Sequence, residues 1–261
     1  PLTALELRAV AASHARLAAR NARGLCPDLR PAAAPRGARP ERLRIGYASA
    51  DFHDHATAHL MAGLFALHDR SRFDVRLYSY GRADASEWRR RLVAGSDAFV
   101  DIAGLGLCEA ASRIRADGVD VLVDLKGFTR DGRPELFALR AAPVQVAYLG
   151  YPGTMGAAWY DGLVTDAICS PPGSEAHFAE RLVYLPGSYQ VNDREQAIAE
   201  SAPSRAECGL PEQGFVYCCF NQTYKIEPAL FDVWMRILRA VAGSVLWLFR
   251  SHAEAEANLR R

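Results

Sequence analysis

The segment SADFHDHATAHL (49–60) places three imidazoles, His53, His55 and His59, within seven residues and sets Asp51 and Asp54 among them. Two chemistries suit this density. A His-x-His pair directly after a strand supplies two ligands to a metal ion. A single imidazole at a strand's carboxyl end orients or deprotonates a substrate. The structural alternative is a helix entry, with Thr57 or Asp54 as N-cap and His59 packed on a sheet. A metal site needs further ligands, and His14, His68, His177 and His252 fall at no predicted central strand end. No metal is therefore expected.

Three further segments carry residues suited to ligand chemistry. LKGFTRDGRPE (125–135) brings Lys126, Gly127, Thr129 and Arg133 to the end of a strand-like run, where small and basic residues suit a sugar or phosphate. A turn with solvated charges fits the same spacing. YLGYPGTMGA (148–157) spaces Gly150, Gly153 and Gly156 around Pro152, so its backbone can approach a ligand closely. That spacing is not a dinucleotide or P-loop fingerprint. FNQTYKIEP (220–228) sets Lys225 beside Asn221, Gln222 and Tyr224 just before a helix opening. An ammonium and helix-terminal amides act together on a diphosphate, although ordinary strand-to-helix turn chemistry also fits.

Strand-like runs recur at 42–49, 73–80, 98–102, 119–127, 144–150 and 182–186, with helical patterns between several of them. Alternating strand and helix predicts a parallel sheet covered by helices on both faces, with ligands beyond the carboxyl ends of the strands. Residues 3–23 read as an amphipathic helix whose apolar side holds Leu5, Val10, Leu17 and repeated alanines, and 27–41 is a Pro-rich linker. A second strand–helix–strand unit occupies 215–250, after a polar, turn-rich stretch. The chain ends at Arg261 inside a helical pattern, so the second domain is expected to be truncated.

Composition narrows the class. The 261 residues are 50% hydrophobic and 23% charged, with formal net charge +1, as in a globular protein with no general attraction to nucleic acid or anionic membrane. No apolar run approaches the ~20 residues of a membrane helix, and no signal peptide is read. The six cysteines show no CxxC pair and no framework spacing, so reduced thiols and a cytoplasmic location are expected. Of 31 Lys and Arg residues only two are lysines, Lys126 and Lys225, each in a segment singled out above. Arg and Lys are not interchangeable at a site.

Taken together, GYASADFHDHATAHLM (46–61), the long block DGVDVLVDLKGFTRDGRPELFALRAAPVQVAYLGYPGTMGA (117–157), YCCFNQTYKIEP (217–228) and SVLWLFR (244–250) resemble the protein O-GlcNAc transferases. The resemblance spans roughly residues 42–251. It implies a GT-B-type α/β fold with two Rossmann-like domains and parallel sheets, preceded by the end of a tetratricopeptide (TPR-like) array. The implied organisation is a terminal array helix at 1–26, a linker at 27–41, a catalytic domain at 42–189, an interdomain linker at 190–214 and an incomplete nucleotide-binding domain at 215–261. The implied reaction is inverting, metal-independent transfer of N-acetylglucosamine from UDP-GlcNAc, a co-substrate, to Ser or Thr hydroxyls of a protein or peptide acceptor held partly by the array. Matched by motif, His55 is the active-site histidine. Gln222, Tyr224 and Lys225 fall on the nucleotide-side motif, in which the lysine contacts the UDP diphosphate, and Lys225 and Tyr224 are grouped with His55 as catalytic. Leu149, Gly150 and Pro152 fall where the family holds the donor sugar. Thr129 and Lys126 join the donor-facing set by position alone. Two departures stand out: Ala56 replaces the family's usual Pro after the histidine, and Ser112 matches a position where animal members carry an aspartate proposed as a base. The FNQTYKI form resembles the GlcNAc-transferring branch rather than a fucose-transferring relative. With the rest of the nucleotide motifs expected beyond Arg261, the chain alone is expected to bind donor poorly. A non-catalytic peptide-binding module and a metallohydrolase built on His53 and His55 are the competing readings.

Overall fold

The β-branched and apolar runs build one seven-stranded sheet in a computed structural model that describes residues 2–32 and 41–261. The chain divides into two units, one ending at Gln196 and the other spanning Ala197–Arg261. Most of the expected 27–41 linker, residues 33–40, lies outside the described residues.

Helix α1 (Ala4–Leu25) is opened by a capping box in which Thr3 and Glu6 satisfy each other's backbone N–H groups. It docks on the first unit through a stripe of buried alanines, Ala11, Ala15, Ala18 and Ala22. The expected apolar side is corrected here, because Leu5, Val10 and Leu17 are exposed. Small side chains at i, i+4, i+7 and i+11 let the two backbones come close. A Cβ on Gly156 would lie 2.4 Å from the backbone nitrogen of Ala12.

The first unit continues as β1 (Leu43–Ser49), α2 (Ala56–Met61), β2 (Phe73–Ser79), α3 (Glu87–Ala94), β3 (Ala98–Asp101), α4 (Leu107–Ala116), β4 (Val121–Asp124), α5 (Pro134–Ala138), β5 (Val144–Ala147), β6 (Gly162–Thr165) and β7 (Arg181–Tyr184). The strand order is β3-β2-β1-β4-β5-β6-β7, and every neighbouring pair is parallel. Successive side chains leave opposite faces of each strand. Ala48, Tyr78 and Leu122 therefore enter a core shared with α1, α4 and α5. Their neighbours Tyr47, Leu77 and Val123 enter a second core with Met61 of α2 and Leu92 of α3. The sequence pattern missed β6. It is four residues long, begins with Gly and is joined to β5 by an irregular loop rather than a helix, so neither length nor alternation marks it.

The first unit also extends past the expected boundary at 189. Tyr148 donates its hydroxyl to the Tyr189 carbonyl at 2.8 Å, and Arg91 pairs with the buried Asp193 carboxylate at 2.6 Å. Residues 190–196 are thus held on this unit instead of starting the linker. The second unit holds β8 (Val216–Cys219), α6 (Pro228–Ala240), β9 (Val245–Leu248) and α7 (Ala253–Arg260), with β8 and β9 parallel. The strand–helix–strand order over 215–250 is the one the sequence pattern predicts.

The cysteine expectation fails for one pair. Cys26, at the end of α1, and Cys108, in the first turn of α4, are disulfide-bonded across 82 residues. Local spacing cannot reveal a bridge that exists only because α1 docks beside α4. Cys169, Cys208, Cys218 and Cys219 are free.

Candidate active site

Strand order reverses between β1 and β4. The chain runs outward from β1 through β2 to β3, then returns to the other side of β1. In open parallel sheets the crevice beyond the carboxyl ends at such a reversal binds ligands. Ala48 and Asp124 pair near those ends, so the segments that follow, 49–57 and 125–129, face each other across the crevice.

Asp51 and Lys126 join the two segments. The ammonium donates to both carboxylate oxygens, at 2.9 and 2.7 Å, and the residues are 6% and 5% exposed. Asp51 also receives the Thr57 hydroxyl at 3.3 Å, and its own backbone N–H is held by Ser49 Oγ at 3.0 Å. Lys126 is therefore buried and already engaged, not an open cation awaiting a ligand. Thr129 is turned inward as well, donating its hydroxyl to the Lys126 carbonyl at 2.8 Å.

His55 is the N-cap of α2. Its Nδ1 accepts the Thr57 backbone N–H at 3.1 Å, with Asp51 Oδ2 3.5 Å away. The helix entry expected at Thr57 or Asp54 is therefore made by the histidine itself. An Nδ1 that accepts a hydrogen bond carries no proton, so in the neutral ring the proton sits on Nε2; this tautomer is assigned from the contact. Partial burial holds the His55 pKa below 6.5, opposed by Asp51 and reinforced by Lys126, His53 and His59. With 41% of its side chain exposed, His55 offers a neutral ring whose free nitrogen is a donor. Ala56 occupies the first helical position, where a proline is also tolerated because the N–H there has no intrahelical partner. The departure costs no hydrogen bond.

The other two histidines turn to different partners. His59 Nε2 contacts Asp54 at 2.7 Å, and its ring lies tilted by 34° over Trp88 with the centroids 4.1 Å apart. His53 Nδ1 lies 3.1 Å from the Asp54 carbonyl and receives Arg82 Nε at 3.4 Å. Among the described residues no three His, Cys, Asp or Glu side chains converge as a metal-holding group.

Below the crevice, Asp124 accepts the N–H groups of Lys126 and Gly127 at 2.8 and 3.1 Å and the Tyr160 hydroxyl at 2.5 Å. Burial pushes its carboxyl above the usual range against those bonds. Sequence reading overlooked Asp124 and Tyr160; the only signal was a carboxylate ending an apolar strand. The 148–157 loop enters from β5. Leu149 takes φ +65°, and Gly150 N–H closes back on the Tyr148 carbonyl at 2.8 Å. A left-handed non-glycine residue stores strain that the surroundings must hold. A Cβ on Gly150 would stand 1.9 Å from the Leu125 carbonyl oxygen, so the loop rests directly on the end of β4. Pro152 is exposed at its tip. Ser112 lies on the exposed side of α4.

In the second unit Thr223–Lys225 form a single 3-10 turn between β8 and α6. Gln222, Tyr224 and Lys225 are exposed there, and Lys225 Nζ lies 6.0 Å from the Tyr224 ring centroid. Glu227, the N-cap of α6, makes no side-chain cap bond, and Pro228 follows at the first helical position. The leading N–H groups of α6 therefore have no side-chain cap.

The chain resembles known proteins along its whole length. The plant protein named probable UDP-N-acetylglucosamine–peptide N-acetylglucosaminyltransferase SEC, from Arabidopsis thaliana, is 39% identical over 267 residues, covering 100% of this chain and 27% of that protein. The Caenorhabditis elegans UDP-N-acetylglucosamine–peptide N-acetylglucosaminyltransferase is 28% identical over 85% of this chain and 29% of its own. Among solved structures, a mutant of the Thermobaculum terrenum O-GlcNAc transferase superposes with TM-score 0.77 and 33% identity, covering 93% of this chain and 46% of that one. The chain thus spans roughly a quarter to a half of the relatives it matches, and the GT-B-type α/β fold expected from sequence is the fold it shares with them. The model of glycosyl transferase family 41 matches residues 1–203 and 199–261, and the chain belongs to that family.

Proposed function

We propose that this chain is part of an enzyme that transfers N-acetylglucosamine from UDP-GlcNAc to Ser or Thr hydroxyls of proteins, with inversion and without a metal. The observation that carries this reading is the 39% identity, over the whole chain, to a relative named for that transfer to peptides. In the step itself the acceptor oxygen attacks the anomeric carbon, the bond to the diphosphate oxygen breaks, and its electron pair leaves with UDP. The hydroxyl proton passes to solvent water or to the released diphosphate oxygen, so that the glycoside, UDP and the proton account for every atom. A neutral His55 with its proton on Nε2 suits donation to a sugar or acceptor oxygen better than proton removal. The backbone of the 149–152 loop, resting on the end of β4, suits close approach to the sugar. Lys225 and the uncapped start of α6 suit the growing charge on the diphosphate, a role that fixed donors fill well. Tyr224 and Gln222, exposed beside Lys225, suit the nucleotide.

The acceptor is proposed to be held partly by a TPR-like array ending in α1, whose exposed Leu5, Val10 and Leu17 are what a further helix would cover. No helix among the described residues is long and apolar enough to cross a membrane. A cytoplasmic location completes the proposal. Four free cysteines accord with a reducing compartment, whereas the Cys26–Cys108 bond runs against it.

The test is transfer of labelled GlcNAc to Ser/Thr peptides by the full-length protein with and without Lys225→Ala. Nearly complete loss of turnover is expected in the variant. Absence of both transfer and donor hydrolysis in the unmodified protein would overturn the GlcNAc assignment.

A further inference from the structure

The two lysines stand in different settings, and Lys225 is exposed. Lys126 is buried at the strand-order reversal, with its ammonium closed onto Asp51 and no open face toward a ligand. Asp51 in turn stands 3.5 Å from Nδ1 of His55, the nitrogen that accepts the Thr57 N–H. A bare carboxylate at that distance would draw a proton onto Nδ1. That proton would expel the Thr57 N–H, because one ring nitrogen cannot both donate to Asp51 and accept from Thr57. With Lys126 in place the carboxylate is neutralised and both its oxygens are engaged. Nδ1 then stays bare and the neutral ring keeps its proton on Nε2.

We propose that Lys126 is a positioning residue: by neutralising Asp51 it selects the tautomer and orientation in which His55 presents Nε2–H. This rests on the glycosyl-transfer reading for its catalytic meaning, but not for the tautomer itself. The charged and titratable groups acting on His55 are Asp51, Lys126, His53 and His59. Only Asp51 favours the protonated ring, and Lys126 is bonded directly to it. The pair also bridges the segments after β1 and β4, so it fixes the 51–57 turn against the rest of the crevice. Side-chain size fits the assignment. A compact ammonium on a flexible stem reaches both Asp51 oxygens in this buried position.

The test has two readouts on the full chain. Proton–nitrogen correlation spectra of the histidine rings report the tautomer and titration of His55. They are recorded for the unmodified protein, Lys126→Met and the neutral pair Lys126→Met/Asp51→Asn. The unmodified ring is expected protonated on Nε2. In Lys126→Met the titration moves up and Nδ1 gains the proton. In the neutral pair the titration returns toward the unmodified position, a rescue that lost packing alone does not produce. If Lys126→Met fails to fold, the comparison of the unmodified protein with Asp51→Asn/Lys126→Met and with Lys126→Arg decides. Retained Nε2–H in the arginine variant supports the proposal, and its loss there with Asp51 still paired overturns it. In transfer assays Lys126→Met is expected to lower kcat about a hundredfold, as small misplacements of a reacting group do, with KM for UDP-GlcNAc nearly unchanged. A raised donor KM with kcat intact would make Lys126 a ligand and overturn the proposal, as would an unchanged His55 tautomer and titration in Lys126→Met. Absence of transfer by the unmodified protein defeats the transferase reading alone, because the spectra still report on Lys126.

Discussion

The backbone N–H of Thr57 donates to Nδ1 of His55 at 3.1 Å, so the residue proposed to face substrate also starts the helix behind it. Structure and chemistry therefore share one ring. One nitrogen caps α2, the other is left for a ligand, and occupation of the first sets the protonation of the second.

The two duties separate by substitution. His55→Ala removes both the cap and the ring. It should cost about 1 kcal/mol of stability, the usual value of an N-cap, together with nearly all transfer. His55→Asn keeps a good capping side chain but has no imidazole. Its unfolding free energy, measured by denaturant titration, should stay within a few tenths of a kcal/mol of the unmodified protein, while transfer is lost as in the alanine variant. An asparagine variant as unstable as the alanine variant would show that the cap is not worth what the contact implies.

A pH dependence follows from the same ring. Desolvation holds the His55 pKa below 6.5 in the folded chain, while the unfolded residue titrates near 6.5. Between those values the unfolded state binds more protons, so stability rises with pH through this window and falls as the solution is acidified. Activity should fall in the same direction, because protonating Nδ1 expels the Thr57 N–H and changes the ring's charge. His68 is shifted down too, chiefly by burial, and contributes with the same sign. The difference between the unmodified protein and His55→Asn isolates the His55 share. Stability curves of the two that run parallel from pH 7 to pH 5 would contradict the assignment.

How far the sequence carried this site is visible in individual residues. Every strand but β6 was legible because its apolar run is long enough to read, whereas the reversal of strand order between β1 and β4 is set by pairing that no local pattern carries. His55 was legible through its motif. The engagement of Lys126 was not. A lysine after a strand looks the same whether it meets a phosphate or a carboxylate 75 residues earlier in the chain, and only the β1–β4 pairing brings that carboxylate close. The face of α1 was hidden for a similar reason. Hydropathy favours Leu5 and Leu17, but the partner surfaces are α5, α4 and the loop backbone at Gly156, and close approach there selects alanine. The Cys26–Cys108 bond depends on that same docking and had no local trace.

The contact between α1 and the 148–157 loop yields the last prediction. Gly156 takes φ +61°, and a Cβ there would lie 2.4 Å from Ala12 N and 2.6 Å from the Ala11 carbonyl carbon. Backbone atoms in a helix cannot retreat individually, so any side chain must push α1 off the loop or distort the loop itself. The loop has little freedom to yield. Glu180 accepts from the Thr154 hydroxyl at 2.7 Å and from Met155 N–H at 2.9 Å, both in a buried setting. Strain at Gly156 should therefore appear as displacement of α1. Gly156→Ala is expected to raise amide hydrogen exchange across residues 8–22 while β1, β2 and β4 remain protected. Because the Cys26–Cys108 bond still tethers the far end of α1, the increase should grow when the protein is reduced. Exchange in α1 that does not change in Gly156→Ala, under either condition, would mean that the helix is held by its alanine stripe without help from the close approach at Gly156.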